Sequence, residues 1–225
     1  EEAIARLADF QGQLDESFEG YPPQNLFLAL MHTVEQFDLS KQPFDDLLDA
    51  FRQDQFKYRY QDFSELLEYC RRSANPVGRI VLQLGCCLEE QTAQLSDQIC
   101  TGLQLANFWQ DVARDHCRGR VYLPQDAMHK YHVSDAMLAE PRASGPLREL
   151  VRSECDRAEG FFRRGLPLAD QVPRWLSGDI RLFAHGGLAT LEAIRKIEYD
   201  VLSQRPIVSK PRQAWMVAKA AVGLL

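Results

Sequence analysis

Apolar residues recur at helical spacing along almost the whole chain, while runs that alternate every second residue are short. Ile4, Leu7, Ala8 and Leu14 share one stripe. Leu47, Leu48, Phe51 and Phe56 form another, and Leu66, Leu67 and Tyr69 continue the pattern. A period near 3.6 fits one face of a helix, whereas a strand sends successive side chains to opposite faces. The few Val and Ile clusters lie inside helical patterns. An all-α fold follows, of roughly ten helices. They are expected over 1–16, from Pro22-Pro23 to Phe37, from Pro43 or Asp45, and from Asp62 or Ser64 to about Ala74. Further helices are expected over 77–88, 91–116, 125–131, 134–139 (capped by Ser134), 146–165, 177–200 and 212–225. Proline is tolerated in a first turn but breaks an interior, so Pro76 must end or kink a helix. Connections are short, which favours antiparallel neighbours. One domain over residues 1–225 is expected, long enough to bury its own core.

Composition narrows the function. Lys and Arg number 26 against 32 Asp and Glu, a net charge of −6. A non-specific nucleic-acid binder would be basic, so no nucleic-acid partner is expected. Charged residues interrupt every apolar run well before the ~18 residues that a membrane span needs. The closing helix, with Trp215, Met216, Val217, Ala220, Val222, Leu224 and Leu225, is too short to cross a bilayer. Packing on the bundle and peripheral contact with the inner membrane face are both open to it. Cys70, Cys86, Cys87, Cys100, Cys117 and Cys155 form no C-x-x-C pair and read as reduced thiols of a cytoplasmic protein. His32, His116, His129, His132 and His185 share no metal spacing. Trp109, Trp175 and Trp215 read as core. Arg71-Arg72 and Arg163-Arg164 read as solvated charge. No glycine-rich dinucleotide fingerprint is present.

Chemistry concentrates in 104–120. Gln104, Asn107, Asp111 and Asp115 fall at i, i+3, i+7 and i+11, one stripe amid Leu103, Leu105, Ala106, Phe108, Trp109 and Val112. Such a stripe reads as a cavity wall rather than a solvated face. Two carboxylates one turn apart, with an amide one turn earlier, suit Mg²⁺, which leaves positions open for phosphate oxygens. Arg114, Arg118 and Arg120 lie just downstream, and guanidinium forks match phosphate geometry. Metal, acids and arginines together suit a diphosphate.

Three blocks carry a resemblance. Asn107-Phe108-Trp109-Gln110-Asp111-Val112-Ala113-Arg114-Asp115, with Gly119-Arg120-Val121-Tyr122-Leu123-Pro124, resembles the second aspartate-rich motif of the squalene and phytoene synthase family. Glu68-Tyr69-Cys70 with Ala74-Asn75-Pro76-Val77-Gly78, and Tyr199-Asp200-Val201-Leu202-Ser203-Gln204-Arg205, resemble two further family segments in the same order. The resemblance implies a single-domain isoprenoid-synthase helical bundle with a central cavity. It implies Mg²⁺ held by Asp111 and Asp115 with Asn107, and a prenyl diphosphate substrate contacted by Gln104, Asn107, Arg120 and Arg205. Tyr69 is the implied catalytic residue, and the Ala74–Gly78 kink, Gly78 included, would shape the prenyl tunnel. The Phe-Trp-Gln-Asp-Val variant is similar to the branch that converts presqualene diphosphate to hydroxysqualene. Head-to-head condensation of two prenyl diphosphates and a non-catalytic family member are the alternatives.

The chain departs from the family in three places. Its first aspartate-rich motif is absent, and by family spacing is expected upstream of Glu1, in an N-terminal part the sequence lacks. Asp45-Asp46-Leu47-Leu48-Asp49 has similar letters but reads as the acidic start of an amphipathic helix. Gln110 stands where many relatives place arginine, so one diphosphate contact is expected to be lost. Gly186-Gly187-Leu188 stands where some relatives carry a second tyrosine.

Overall fold

The computed structural model describes residues 2–23 and 26–221. The first two helices, α1 (Glu2–Phe18) and α2 (Leu26–Phe37), pack together, and α1 also packs on α3 (Gln42–Gln53). Leu14, Phe27 and Leu48 are buried where they meet. Edge-on ring pairs Phe10–Phe27 at 5.1 Å and Phe18–Phe44 at 5.6 Å complete this small core. The acids of the α3 start are tied locally: Asp45 to Lys41 and Gln11, Asp46 to Gln42, and Asp49 to Arg52.

Helix α4 (Phe63–Ser73) starts where Asp62 accepts the Glu65 N–H at 2.8 Å, an N-cap that satisfies one orphan donor. Ala74 leaves helical geometry at φ −125°, and α5 (Asn75–Leu84) restarts with Pro76 in its first turn. The break expected at Pro76 is therefore present, two residues earlier. The long α6 (Glu90–Gln110) packs against α4, α5 and the two long helices that follow. The helix expected unbroken over 91–116 is interrupted at Asp111 (φ −107°, ψ 15°) and resumes as α7 (Val112–Cys117). The interruption is mild, because Asp111 N–H still reaches the Asn107 carbonyl at 3.0 Å and Asp115 N–H the Asp111 carbonyl at 2.9 Å.

Gly119, at φ +76°, turns the chain into the extended 121–124 connector. Val121 N–H then bonds the Tyr58 carbonyl at 2.8 Å, beside an isolated parallel bridge between Arg59 and Val121. No strand occurs among the described residues. Two short helices follow, α8 (Gln125–Lys130) and α9 (Asp135–Leu138). Ser134 precedes α9 but its hydroxyl caps nothing. Helix α10 (Gly145–Gly165), a 3-10 turn over Leu166–Asp170, and α11 (Arg174–Lys196) close the main core. The Phe162 ring of α10 fills the space between Gly102 of α6 and Gly187 of α11. A Cβ at Gly102 would lie 3.1 Å from that ring, and one at Gly187 would overlap it. These two glycines let three long helices approach closely.

Helix α11 ends at Lys196 rather than at 200. Glu198 and Tyr199 take positive φ, 52° and 60°, and redirect the chain. Such geometry is unfavourable by about 1–2 kcal/mol per non-glycine residue. Asp200 holds the turn, accepting from Ala143 N–H at 2.7 Å and from Arg148 at 2.8 Å. The last helix, α12 (Lys210–Ala221), lies on α11 with Met216 buried. Val222, Leu224 and Leu225, expected in it, lie outside the described residues, as do Glu1 and the residues at 24 and 25. Helix α2 begins at Leu26, after the Pro22-Pro23 pair rather than on it.

Of the tryptophans expected in the core, Trp109 is fully buried, but Trp175 and Trp215 are 66 % and 55 % exposed. Trp175 sits in the first turn of α11 and Trp215 on α12, and both side chains reach solvent. All six cysteines are free. No described helix is long and apolar enough to cross a membrane.

Candidate active site

The α6–α7 break brings Asp111 and Asp115 to one corner of the bundle, on successive turns. Gln104 is half-buried, Asn107 exposed, Asp111 buried and Asp115 half-buried. The stripe thus runs along an open side of the helix at its start and descends toward the core at its acids. Asp111 is forked by Arg205: Nε donates to Oδ1 at 2.6 Å and Nη2 to Oδ2 at 2.9 Å. Arg114 adds a longer bond to Oδ1 at 3.3 Å. The Arg205 fork, against the effect of burial, holds the Asp111 carboxyl below the usual range. Asp115 has no such partner. Burial, with the neighbouring Asp111 charge adding to it, pushes its carboxyl up to about 6, although Arg118, Arg120 and Arg114 pull the other way. Among the described residues no third Asp, Glu, His or Cys joins these two acids.

Arg120 links this corner to Asp54, which the sequence alone did not single out, and through it to Tyr69. Its Nη2 donates to the Asp54 carbonyl at 3.0 Å, and its own N–H to the Asp115 carbonyl at 2.9 Å. Asp54, just past α3, accepts the Tyr69 hydroxyl at 2.8 Å. Burial raises the Asp54 carboxyl, opposed by the Tyr69 bond and Arg120. Burial also drives the Tyr69 phenol far above its ordinary range, so Tyr69 is a neutral donor.

Around Tyr69 stand Tyr60, Phe108 and Tyr122. Phe108 and Tyr122 stack at 3.8 Å and 11°, and Tyr69 lies 6.2 Å from Phe108 and 6.1 Å from Tyr122. Tyr60 closes the group 5.4 Å from Tyr69. Tyr122 belongs to the Gly-Arg-x-Tyr-x-Pro block, but nothing in its spacing discloses this stack. Beside Asp54 and Arg120 opens a cavity of about 520 Å³, walled by Ala3, Leu7 and Phe10 of α1 and Leu48 and Phe51 of α3. It is an apolar trough with charged groups, Arg6, Asp54 and Arg120, at its margin.

The structure brings Tyr69, Arg120, Asp115, Asp111 and Arg205 into one connected region. Gly78 lies elsewhere: it seats α5 on α6, and a Cβ there would meet Ser96 Oγ and Cys100 Sγ. Helix packing accounts for this glycine, and the expected substrate contact at Gly78 has no support in its surroundings. Gln110 does not simply lose a contact. Its amide donates to the Pro206 carbonyl at 2.6 Å and accepts from Arg205 at 2.9 Å. Gly187 packs on Phe162, in the segment where some relatives carry a second tyrosine.

Comparison with known proteins then decides the family, because the squalene/phytoene synthase pattern matches residues 1–212. The chain belongs to the squalene/phytoene synthase family. Phytoene synthase 3 of Zea mays is 32 % identical over 95 % of this chain and 52 % of its own length. Phytoene synthase of Arthrospira platensis is 32 % identical over 91 % of this chain and 71 % of its own. The chain thus spans about half the length of several relatives it matches. Among solved structures, squalene synthase HpnC of Alicyclobacillus acidocaldarius superposes with a TM-score of 0.85 at 37 % identity, covering 88 % of this chain and 75 % of that one. A dehydrosqualene synthase superposes with a TM-score of 0.89 at 25 % identity, covering 98 % and 78 %. The fold is the all-α isoprenoid-synthase bundle of these neighbours.

Proposed function

We propose that this family member converts presqualene diphosphate and water to hydroxysqualene and diphosphate with Mg²⁺. The observation that carries the reading is the junction of an acid–arginine corner with an apolar trough of about 520 Å³ through Arg120 and Asp54. An amphiphile with an anionic head and a long apolar tail matches that pairing. Asp115, Asp111 and Asn107 are the residues that would hold Mg²⁺. The donor chemistry fits: Asp115 is a half-buried carboxyl that burial and the neighbouring Asp111 charge hold up at about 6, and Mg²⁺ commonly takes one or two carboxylates plus phosphate oxygens. When bound, the ion supplies charge neutralisation for the leaving diphosphate.

The chain's own residues do the rest. Arg120 and Arg205 bind the diphosphate through guanidinium forks. The carbon–oxygen bond to diphosphate breaks with its electron pair leaving on diphosphate. The Tyr60, Tyr69, Phe108 and Tyr122 rings form a packed aromatic group next to Asp54 and Arg120, and their quadrupoles would attract positive charge developing nearby. A water forms the new carbon–oxygen bond and its proton leaves with diphosphate or solvent, while the apolar walls of the trough limit the access of other waters. Tyr69, neutral and bonded to Asp54, orients that edge of the site.

Head-to-head condensation of two prenyl diphosphates is the second reading, favoured by the phytoene synthase relatives. One observation weighs toward the first. Gln110 places an amide, already engaged with Pro206 and Arg205, where a second diphosphate would want a cation. A non-catalytic role is disfavoured by Asp115, whose burial costs stability without a structural return. Products from presqualene diphosphate and from farnesyl diphosphate, each with and without Mg²⁺, identified by mass, test the reading. Hydroxysqualene from presqualene diphosphate alone is expected. A product from farnesyl diphosphate assigns the condensing branch instead.

A further inference from the structure

Gln110 is the last residue of α6, and its carboxamide holds both parts of the Arg205-Pro206 step. Nε2 donates to the Pro206 carbonyl at 2.6 Å, and Oε1 accepts Arg205 Nη2 at 2.9 Å. The same guanidinium forks Asp111 at 2.6 Å and 2.9 Å. Only a carboxamide offers a donor and an acceptor side by side in this way. Glutamate has no proton for Pro206, and arginine has no acceptor for Arg205. The 197–209 segment is thereby pinned at two points. Asp200 fixes its base to Ala143 and Arg148, and Gln110 fixes its far end over the acid corner. Pro206 is buried there, while Ile207 beside it is 68 % exposed.

We propose that Gln110 is a positioning residue that parks Arg205 on Asp111 in the ligand-free chain, as a stand-in counter-ion surrendered to diphosphate on binding. The inference rests on the reading above, that this corner takes a divalent cation and a diphosphate. Arg205 takes one lone pair of each Asp111 oxygen and neutralises its charge, so the guanidinium and a cation compete for this carboxylate. Diphosphate gives the guanidinium an equally good bidentate partner. Gln110 keeps the strap end in place through Pro206 while the fork changes partners. An arginine at position 110 would repel Arg205 and release the strap.

The Arg205 Nε–H resonance, assigned by its loss in Arg205→Lys, reads the clamp directly in metal-free protein. A downfield, slowly exchanging signal is expected. It should vanish or move to the position of a solvated arginine in Gln110→Ala. The isosteric Gln110→Glu keeps the acceptor, guards against a folding defect, and should retain the signal with faster exchange. Calorimetry gives the second readout. Arg205→Ala should bind Mg²⁺ alone several-fold more tightly, because Asp111 is freed, yet bind inorganic diphosphate with Mg²⁺ about tenfold more weakly. A purely structural role would not move these two affinities in opposite directions. An unchanged Arg205 signal in folded Gln110→Ala, or two affinities that move together, overturns the proposal. If the clamp signatures hold but neither prenyl substrate turns over, the assigned reaction fails and the clamp stands. If a prenyl substrate turns over without the signatures, the clamp fails and the reaction stands.

Discussion

Asp115 and Asp111 show how two neighbouring aspartates acquire different characters from their surroundings. Both were legible in the sequence, because an acid repeated at helical spacing within an apolar helix has few structural uses. Their difference was not, since it depends on Arg205, which lies 94 positions from Asp111 in the chain. Asp115, raised from 3.8 to about 6, favours the folded state when protonated. Its stabilising effect is full below about pH 4 and is lost as pH rises through about 6. About two pKa units correspond to at most ~3 kcal/mol, and solvent screening at a half-exposed site reduces this to roughly 1 kcal/mol. Asp115→Asn should therefore raise the denaturation midpoint at pH 7 in chelator, show no gain at pH 3.5, and lose turnover at any pH. Asp54 was not legible at all: it stands in a polar run, Arg52-Gln53-Asp54-Gln55, and its bond to Tyr69 is made by tertiary packing. Tyr69→Phe keeps the ring stack but leaves the half-buried Asp54 carboxyl short of a donor. We expect a stability loss of about 1–3 kcal/mol in urea unfolding and a kcat lower by about 10²-fold if the hydroxyl orders the reacting edge.

At the scale of elements, apolar periodicity disclosed where the helices are and left their ends open. The ends shifted wherever a side chain from elsewhere in the chain intervened. Helix α6 breaks at Asp111, whose side chain is held by Arg205, and α11 stops short because Asp200 is committed to Ala143 and Arg148. The prolines behaved as local rules require, since Pro76 needs no partner to restart a helix. The close approach of α6, α10 and α11 around Phe162 is invisible in composition, where Gly102 and Gly187 look like ordinary helix weakeners. Gly187→Ala should cost about 1–3 kcal/mol by overpacking against the Phe162 ring. Adding Phe162→Leu should restore part of that loss, as a double-mutant cycle in urea would measure. Additive losses would mean that the two residues are not in contact. Arg148→Ala removes the charged partner of buried Asp200, leaving it the Ala143 and Ser203 N–H bonds, and should destabilise by about 3 kcal/mol, with near-wild-type unfolding contradicting a pinned strap.

At the scale of the molecule, the pieces converge on one edge of the bundle: an apolar trough between α1 and α3, an aromatic group against α6, and acids and arginines at the α6–α7 break. The motif blocks point to the acids, Tyr69, Arg120 and Arg205, while the trough comes from residues of α1 and α3 that carry no motif. On the proposed function, this edge ionises a prenyl diphosphate with the two aspartates acting through Mg²⁺. The most direct measurement is diphosphate release from presqualene diphosphate by the wild-type protein and by Asp111→Asn, each with Mg²⁺ and in chelator, with circular dichroism to confirm folding. Release by the wild type with Mg²⁺, none in chelator, and a rate at least about 10³-fold lower in folded Asp111→Asn is the expected result. Equal release by Asp111→Asn, or release by the wild type that ignores the chelator, would contradict it.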